Sequence, residues 1–168
     1  MRTGRTGTGI RPAEPRCNAN LRDRRRPFAH RPLKDLFATY SKRLPWPLTA
    51  IEIAERGGDP PAVRVEREGE ALRRRLPDGP LIVLDRSGTD LTSESLAETL
   101  VQYRDDGAGT VSFAIGGADG HAPETLAAAD LVLSFGRATW PHQLVRVMLA
   151  EQLYRASAIL AGHPYHRR

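Results

Sequence analysis

The chain has 168 residues, 40% of them hydrophobic, which suffices for one domain with a sizeable core. No apolar run approaches the roughly 18 residues needed to cross a bilayer, and the Arg-rich start lacks the apolar segment of a secretory signal. The single cysteine, Cys17, excludes an internal disulfide and fits a reducing compartment. We therefore expect a soluble, cytoplasmic protein that does not bind a membrane.

The net charge of +5 is unevenly distributed along the chain. Residues 1–32 contain nine arginines and two carboxylates, a net charge of +7, so the remaining residues carry −2. This segment has no apolar run that would offset the entropy of ordering it, and we predict a disordered, basic extension. It could be a basic arm that adds affinity for RNA, a mitochondrial transit peptide, or an upstream extension or misread start without a role.

Residues 33–168 alternate between helix and strand patterns and are predicted to form one domain. Apolar spacing predicts a helix over residues 33–40, a strand over residues 48–53 and a highly charged helix over residues 63–76. A loop rich in Gly and Pro separates the strand from the charged helix.

Three short apolar runs, at residues 81–84, 111–115 and 131–133, have the composition of buried parallel strands. Helices are predicted after the first two runs, and the first of these helices begins with a cap at Thr92 or Ser93. This alternation predicts an α/β fold with a largely parallel sheet and helices on both faces.

The last part of the chain is predicted to be one long helix that runs into a polar tail. Apolar residues recur there at helical spacing and would form one face. They are Leu144, Val147, Met148, Leu149, Leu153, Ala156 and Leu160. The tail, HPYHRR at residues 163–168, offers imidazole, phenol and guanidinium groups with little apolar surface. Such groups suit an anionic partner that is rich in hydrogen-bonding groups.

Each of the three predicted buried strands ends in a loop rich in Gly, Ser or Asp. Ligands of parallel sheets bind beyond the carboxyl ends of the strands, so these loops predict the site. Glycines let backbone groups approach a ligand, and the apolar neighbours suit an adenine base better than a triphosphate. No P-loop, GxGxxG pattern or GxSxG elbow occurs. The histidines lack partners at metal-ligand spacing, so we expect no bound metal.

Several motifs follow one another in a fixed order along the chain. They are KRLPWPL at 42–48, LDRSG at 84–88, IGGADG at 115–120, LSFGRATWPHQLVRVMLAEQLYRA at 133–156 and HPYHRR at 163–168. Together they resemble the RlmH family, the SPOUT-class methyltransferases of large-subunit ribosomal RNA. The resemblance runs from about residue 33 to the end of the chain.

This resemblance implies a function and a fold. The implied reaction is transfer of a methyl group from S-adenosylmethionine to N3 of a pseudouridine in 23S ribosomal RNA, on the assembled ribosome, by a homodimer. The implied fold is an α/β trefoil knot, in which the C-terminal segment threads through a loop and makes the cofactor pocket. The implied cofactor contacts are Leu84, Gly116, Phe135, Gly136, Arg137, Ala138, Thr139 and Trp140. Family members begin with an apolar strand that has no counterpart in residues 1–32, so either the sheet lacks one strand or the start and reading frame of the sequence are wrong.

Methylation at N3 requires removal of a proton from an imide nitrogen. We expect one group of residues to bind the flipped-out pseudouridine, with a His or Tyr assisting deprotonation. These candidates are Arg155, His163, Tyr165 and His166. The candidates for other RNA contacts are Arg146, Arg167 and Arg168. Alternatively, the tail becomes ordered only on RNA, with His163 and Tyr165 packing on the domain. Arg146 and Arg155 could instead pair with Glu151 at the dimer interface.

Two other functions stay open at this point. One is a SPOUT enzyme that methylates transfer RNA. The other is a non-catalytic RNA-binding dimer that has lost the activity together with its first strand.

Overall fold

A computed structural model describes residues 16–21, 31–53, 58–117 and 119–165. In chain order its elements are β1 (Arg16–Leu21), α1 (Arg31–Arg43), β2 (Leu48–Glu52), α2 (Pro61–Arg73), β3 (Leu81–Asp90), α3 (Ser93–Asp105), β4 (Thr110–Ile115), α4 (Pro123–Ala127), β5 (Leu131–Ser134) and α5 (His142–Leu160). None of these helices is long and apolar enough to cross a membrane.

The strands of the described chain form one sheet in the order β2-β1-β4-β3-β5. Every neighbouring pair in this sheet is parallel. The predicted α/β fold with a largely parallel sheet is therefore confirmed. Because all the strands point the same way, their carboxyl ends lie along one edge.

Strand β3 shows why helices cover both faces of the sheet. Successive side chains of a strand point to opposite faces. Ile82 and Leu84 join an apolar cluster with residues of α3 and α5, whereas Leu81 and Val83 join a second cluster with Leu72 of α2. A strand buried on both sides needs a continuous apolar run, which is the pattern that predicted it.

Strand β1 corrects the expectation that the sheet lacks a strand. Residues Arg16–Leu21 lie inside the sheet and pair with β2 on one side and β4 on the other. The sequence RCNANL has no apolar run, so its side-chain pattern did not predict a strand; backbone pairing is what places it there. Helix α1 also begins at Arg31, within the segment expected to be disordered. The rest of that prediction falls outside the described residues.

Strand β3 and helix α5 depart from their predictions in ways that affect the site or the core. Strand β3 does not stop at Leu84 but resumes after an irregularity and continues to Asp90. In α5, Leu160 is 44% exposed, so it does not belong to the predicted apolar face. Helix α3 begins as predicted, because the Thr92 side chain accepts a hydrogen bond from the backbone N–H of Ser95 at 3.1 Å.

Candidate functional site

Three neighbouring strands, β4, β3 and β5, end at the same edge of the sheet, and their loops surround one cleft. Its volume is about 940 Å³. Of the cofactor contacts implied by the family resemblance, the cleft is lined by Leu84, Gly116, Phe135, Gly136, Ala138, Thr139 and Trp140. Arg137 is exposed and is not among the lining residues. The loops that the sequence pattern placed side by side therefore do meet.

The first wall of the cleft is a loop inserted into β3. Leu84 and Thr89 both pair with Leu133 of β5, so the residues between them bulge out of the ladder. Gly88 closes this bulge against β5, because a Cβ there would lie 2.5 Å from the Val132 carbonyl oxygen. The close approach of two backbones fixes the bulge at the mouth of the cleft.

Asp85 begins the same bulge and is held by Ser87. The hydroxyl and the backbone N–H of Ser87 both donate to Oδ1 of Asp85, at 2.6 and 2.9 Å. Burial alone would raise the pKa of Asp85, but these hydrogen bonds, with nearby His121 and Arg86, lower it below its ordinary value. The cleft therefore contains a carboxylate that stays charged at neutral pH.

The second wall is the turn after β5. The Ser134 hydroxyl accepts a hydrogen bond from the Gly136 N–H at 3.0 Å and lies 3.1 Å from the Gly136 carbonyl oxygen, to which it donates. Gly136 has a φ of 92°, which favours glycine. Further along, the Trp140 indole N–H donates to the Phe135 carbonyl at 3.2 Å. These contacts fold the segment before α5 into a compact turn.

The third wall is the loop between β4 and α4. A salt bridge of 2.6 Å from Arg64 of α2 to Asp119 holds this loop from outside. His121 lies 3.1 Å from the Leu84 carbonyl oxygen through Nε2 and lines the cleft. The sequence pattern predicted no role for His121 in this cleft. Among the described residues, no group of three or more His, Cys, Asp or Glu side chains could hold a metal ion.

A second group of candidate residues gathers on α5, away from the cleft floor; we call it the C-terminal cluster, and it consists of Glu151, Tyr154, Arg155 and Tyr165. The Tyr165 hydroxyl donates to Oε1 of Glu151 at 3.2 Å, and Arg155 donates to the same oxygen at 2.5 Å. The Tyr165 ring packs edge-on against Tyr154, with 4.7 Å between the ring centroids. The start of the tail is therefore anchored on the helix.

Two members of the C-terminal cluster are held in their protonated forms. Burial raises the pKa of Tyr165 above its ordinary value of 10.0, and a hydrogen bond with Tyr40 and the charge of Glu151 raise it further. The hydrogen bond to Glu151 likewise raises the pKa of Arg155. At neutral pH, Tyr165 is therefore a neutral donor and Arg155 a permanent cation.

His163 is exposed, and its ring has one nitrogen engaged. Nδ1 accepts a hydrogen bond from the Tyr165 backbone N–H at 3.2 Å. That bond assigns the proton of the neutral ring to Nε2, which is then a donor. His166, Arg167 and Arg168, the remaining predicted residues of the tail, lie outside the described residues.

The structure corrects the predicted role of Arg146. This side chain is only 2% exposed and lies inside the fold, where it forms a salt bridge of 3.3 Å with Glu52. Its position on α5 faces the sheet, so it does not present a guanidinium to RNA. The alternative partner, Glu151, pairs with Arg155 instead, within the same chain. The sequence pattern did not predict this burial, because arginine is usually a surface residue.

Parallel strands with a cleft beyond their carboxyl ends define an α/β protein built to bind a ligand at the sheet edge. The model of the family described as "Predicted SPOUT methyltransferase" matches residues 28–166. The chain belongs to this family, the SPOUT methyltransferases.

Curated relatives support the same assignment. The ribosomal RNA large subunit methyltransferase H of Erythrobacter litoralis is 48% identical over 144 residues, which are 83% of this chain and 91% of that protein. The protein of the same name from Rhodospirillum centenum is 49% identical over 81% of this chain and 90% of its own length. The protein of that name from Mesorhizobium japonicum is 55% identical over 69% of this chain and 73% of its own length.

Among solved structures, the SpoU methyltransferase AviRb of Streptomyces viridochromogenes, crystallised with AdoMet, aligns with a TM-score of 0.45 and 12% identity. The alignment covers 92% of this chain and 63% of that chain. At that score the likeness does not define the fold. The trefoil knot stays a prediction of the family resemblance.

The Ser134 hydroxyl is expected to stabilise the turn after β5. Ser134→Ala removes both hydrogen bonds with Gly136 from a residue that is 4% exposed, and should lower the free energy of unfolding by about 1 kcal/mol. Ser112→Ala is a matched control, because the Ser112 hydroxyl is also buried but has no hydrogen-bond partner within the described chain. Urea denaturation should show an unchanged free energy of unfolding for Ser112→Ala. Equal losses for the two variants would contradict the role of Ser134.

Proposed function

We propose that this chain is an S-adenosylmethionine-dependent methyltransferase of large-subunit ribosomal RNA, and that it modifies N3 of a pseudouridine. The observation that carries the proposal is the convergence of Leu84, Gly116 and Gly136 on one cleft, in a chain of the SPOUT family. The shared name of the curated relatives supports ribosomal RNA as the substrate. The pseudouridine and its N3 atom rest on the motif resemblance.

The residues of the cleft fit S-adenosylmethionine. Its volume of about 940 Å³ is within the range of small-molecule pockets. Gly116 and Gly136 leave backbone groups open to a ligand, and Leu84 and Phe135 supply apolar surface for an adenine ring. The charged carboxylate of Asp85 suits a positively charged ligand. When bound, this cofactor supplies an electrophilic methyl group on a sulfonium.

The C-terminal cluster is proposed to hold the substrate. Arg155 presents a permanent positive charge, which suits a phosphate or a developing anion on the base. Tyr165 remains protonated, so we assign it to anchoring the tail and donating hydrogen bonds rather than to removing a proton. Neither residue is a base at neutral pH.

The general base is proposed to be an imidazole of the tail. Proton removal from N3 must leave a lone pair for the methyl group, and histidine is the side chain that performs this most often near neutral pH. In His163 the nitrogen that could accept is already bonded to the Tyr165 N–H. We therefore propose His166 as the base, with His163 as a donor to the RNA and Arg167 and Arg168 as phosphate contacts.

We further propose that the chain acts as a homodimer on the assembled ribosome, in the cytoplasm. A groove of about 570 Å³ runs between α1, α3 and α5. Its apolar lining includes Leu36, Leu91 and Met148, and Leu36 is 42% exposed. A second copy would cover this surface. The groove shares Phe135 and Gly136 with the cofactor cleft, so a partner in the groove would lie beside the cofactor.

The function is tested by cofactor binding and by methyl transfer. Calorimetric titration should give a micromolar Kd for S-adenosylmethionine, and labelled methyl groups should enter ribosomes that lack the modification. Absence of cofactor binding would favour a non-catalytic RNA-binding protein. Methylation of bulk transfer RNA but not of ribosomes would show that the chain is a SPOUT enzyme that acts on transfer RNA.

Truncation after Gly162 separates cofactor binding from substrate binding. We expect methyl transfer to ribosomes to fall by at least about 100-fold, because the proposed base and phosphate contacts are removed. The Kd for S-adenosylmethionine should change by less than about twofold, since the described tail residues do not line the cleft. Undiminished methyl transfer by the truncated chain would refute the role of the tail.

Tyr165→Phe distinguishes an anchor from a base. The variant loses the hydrogen bonds with Glu151 and Tyr40 but keeps the ring contact with Tyr154, so kcat/KM should fall by about tenfold or less. Loss of a general base would cost about 10²- to 10⁴-fold. The matched control is Tyr103→Phe, at another half-buried tyrosine whose pKa is raised by burial. Its kcat/KM should be unchanged. A loss above 100-fold in Tyr165→Phe alone would contradict the anchoring role.

A further inference from the structure

His121 joins two of the three loops that form the cofactor cleft. It follows Gly120 in the loop between β4 and α4, and its Nε2 lies 3.1 Å from the carbonyl oxygen of Leu84 at the end of the first part of β3. An imidazole donates from Nε2 both in the Nε2–H neutral tautomer and as the imidazolium. The contact therefore persists in either charge state.

The same ring packs on the backbone of Gly116. A Cβ added at Gly116 would lie 3.0 Å from Nε2 and 3.1 Å from Cδ2 of His121. A Cβ at these distances would make the ring shift by a few tenths of an ångström, so the ring lies close against the Gly116 backbone. One side chain thus touches both Leu84 and Gly116, the two proposed cofactor contacts outside the turn after β5.

His121 also lines a second, smaller space beside the cleft. It lines the cleft and, in addition, a small cavity of about 30 Å³ whose other walls include Glu68, Gly69 and Thr125. Ile115, Gly116 and Gly120 also line both spaces, so the His121 ring forms one part of the wall between them.

We propose that His121 is a positioning residue of the cofactor cleft, which sets the spacing between Leu84 and Gly116. The proposal rests on the proposed function for the identity of the ligand, S-adenosylmethionine. It extends the cofactor site to a residue that lies outside the sequence motifs implied to bind the cofactor. His121 would affect cofactor binding through the backbones of Leu84 and Gly116.

The test compares His121→Leu with His121→Gln by calorimetric titration with S-adenosylmethionine. Leucine keeps the bulk but cannot donate to the Leu84 carbonyl, so the Kd should rise by about 2- to 12-fold, the equivalent of one neutral hydrogen bond. Glutamine restores an N–H donor and should recover most of the affinity. Equal affinities in the wild type and His121→Leu would overturn the proposal.

Arg64→Gln is the matched control, because it releases the same loop from its other anchor at Asp119 without replacing any residue of the cleft lining, to which Asp119 itself belongs. An exposed ion pair contributes little, so the Kd should change by less than about twofold. If Arg64→Gln weakens binding as much as His121→Leu, general loosening of the loop explains both results and the proposal is overturned.

A second measurement covers the case in which His121→Leu does not fold. In the wild-type protein, imidazole NMR signals of His121 should shift on addition of S-adenosylmethionine, whereas a lack of any shift at saturation would overturn the proposal. Failure of the wild type to bind the cofactor at all is a distinct result: it refutes the proposed function, and the inference about His121 falls with it.

Discussion

The parallel pairing of β3 with both β4 and β5 is the constraint on which the site depends. Val83 pairs with Ala114 on one side and Val132 on the other, and it is fully buried. Because these strands run in the same direction, the residues that follow Leu84, Ile115 and Ser134 must emerge at one edge. The cleft is therefore a product of strand direction, and the loops supply only its lining.

The sequence predicted the parts of this arrangement that leave a side-chain pattern. The apolar run at residues 81–84 predicted a buried strand, and the glycine-rich loops predicted where a ligand would lie. Strand β1 left no such pattern, since its polar sequence is held in the sheet by backbone pairing. The burial of Arg146 was missed because arginine is usually exposed, and the role of His121 was missed because sequence spacing does not show a contact with a carbonyl 37 residues away.

The C-terminal cluster illustrates how contacts assign roles that composition leaves open. The sequence offered Arg155, His163 and Tyr165 as equivalent candidates for binding or deprotonation. Glu151 distinguishes them, because its carboxylate keeps Arg155 charged and helps to keep Tyr165 protonated. The same carboxylate accepts a hydrogen bond from Gln152, which in turn accepts one from Ser93 of α3. The tail is thus connected through α5 to the helix that follows the β3 bulge.

The interior position of β1 bears on how the chain reaches this fold. Its partner strand β4 pairs Arg16 with Thr110, so the middle of the sheet closes only when two distant parts of the chain meet. Contacts of such long sequence separation carry a large loop-closure cost and form slowly. During synthesis β1 leaves the ribosome first, yet it must wait for β4 before it gains its second neighbour. The β3, β4 and β5 segments, which hold the cleft, are close in sequence and are free to assemble before the sheet is completed.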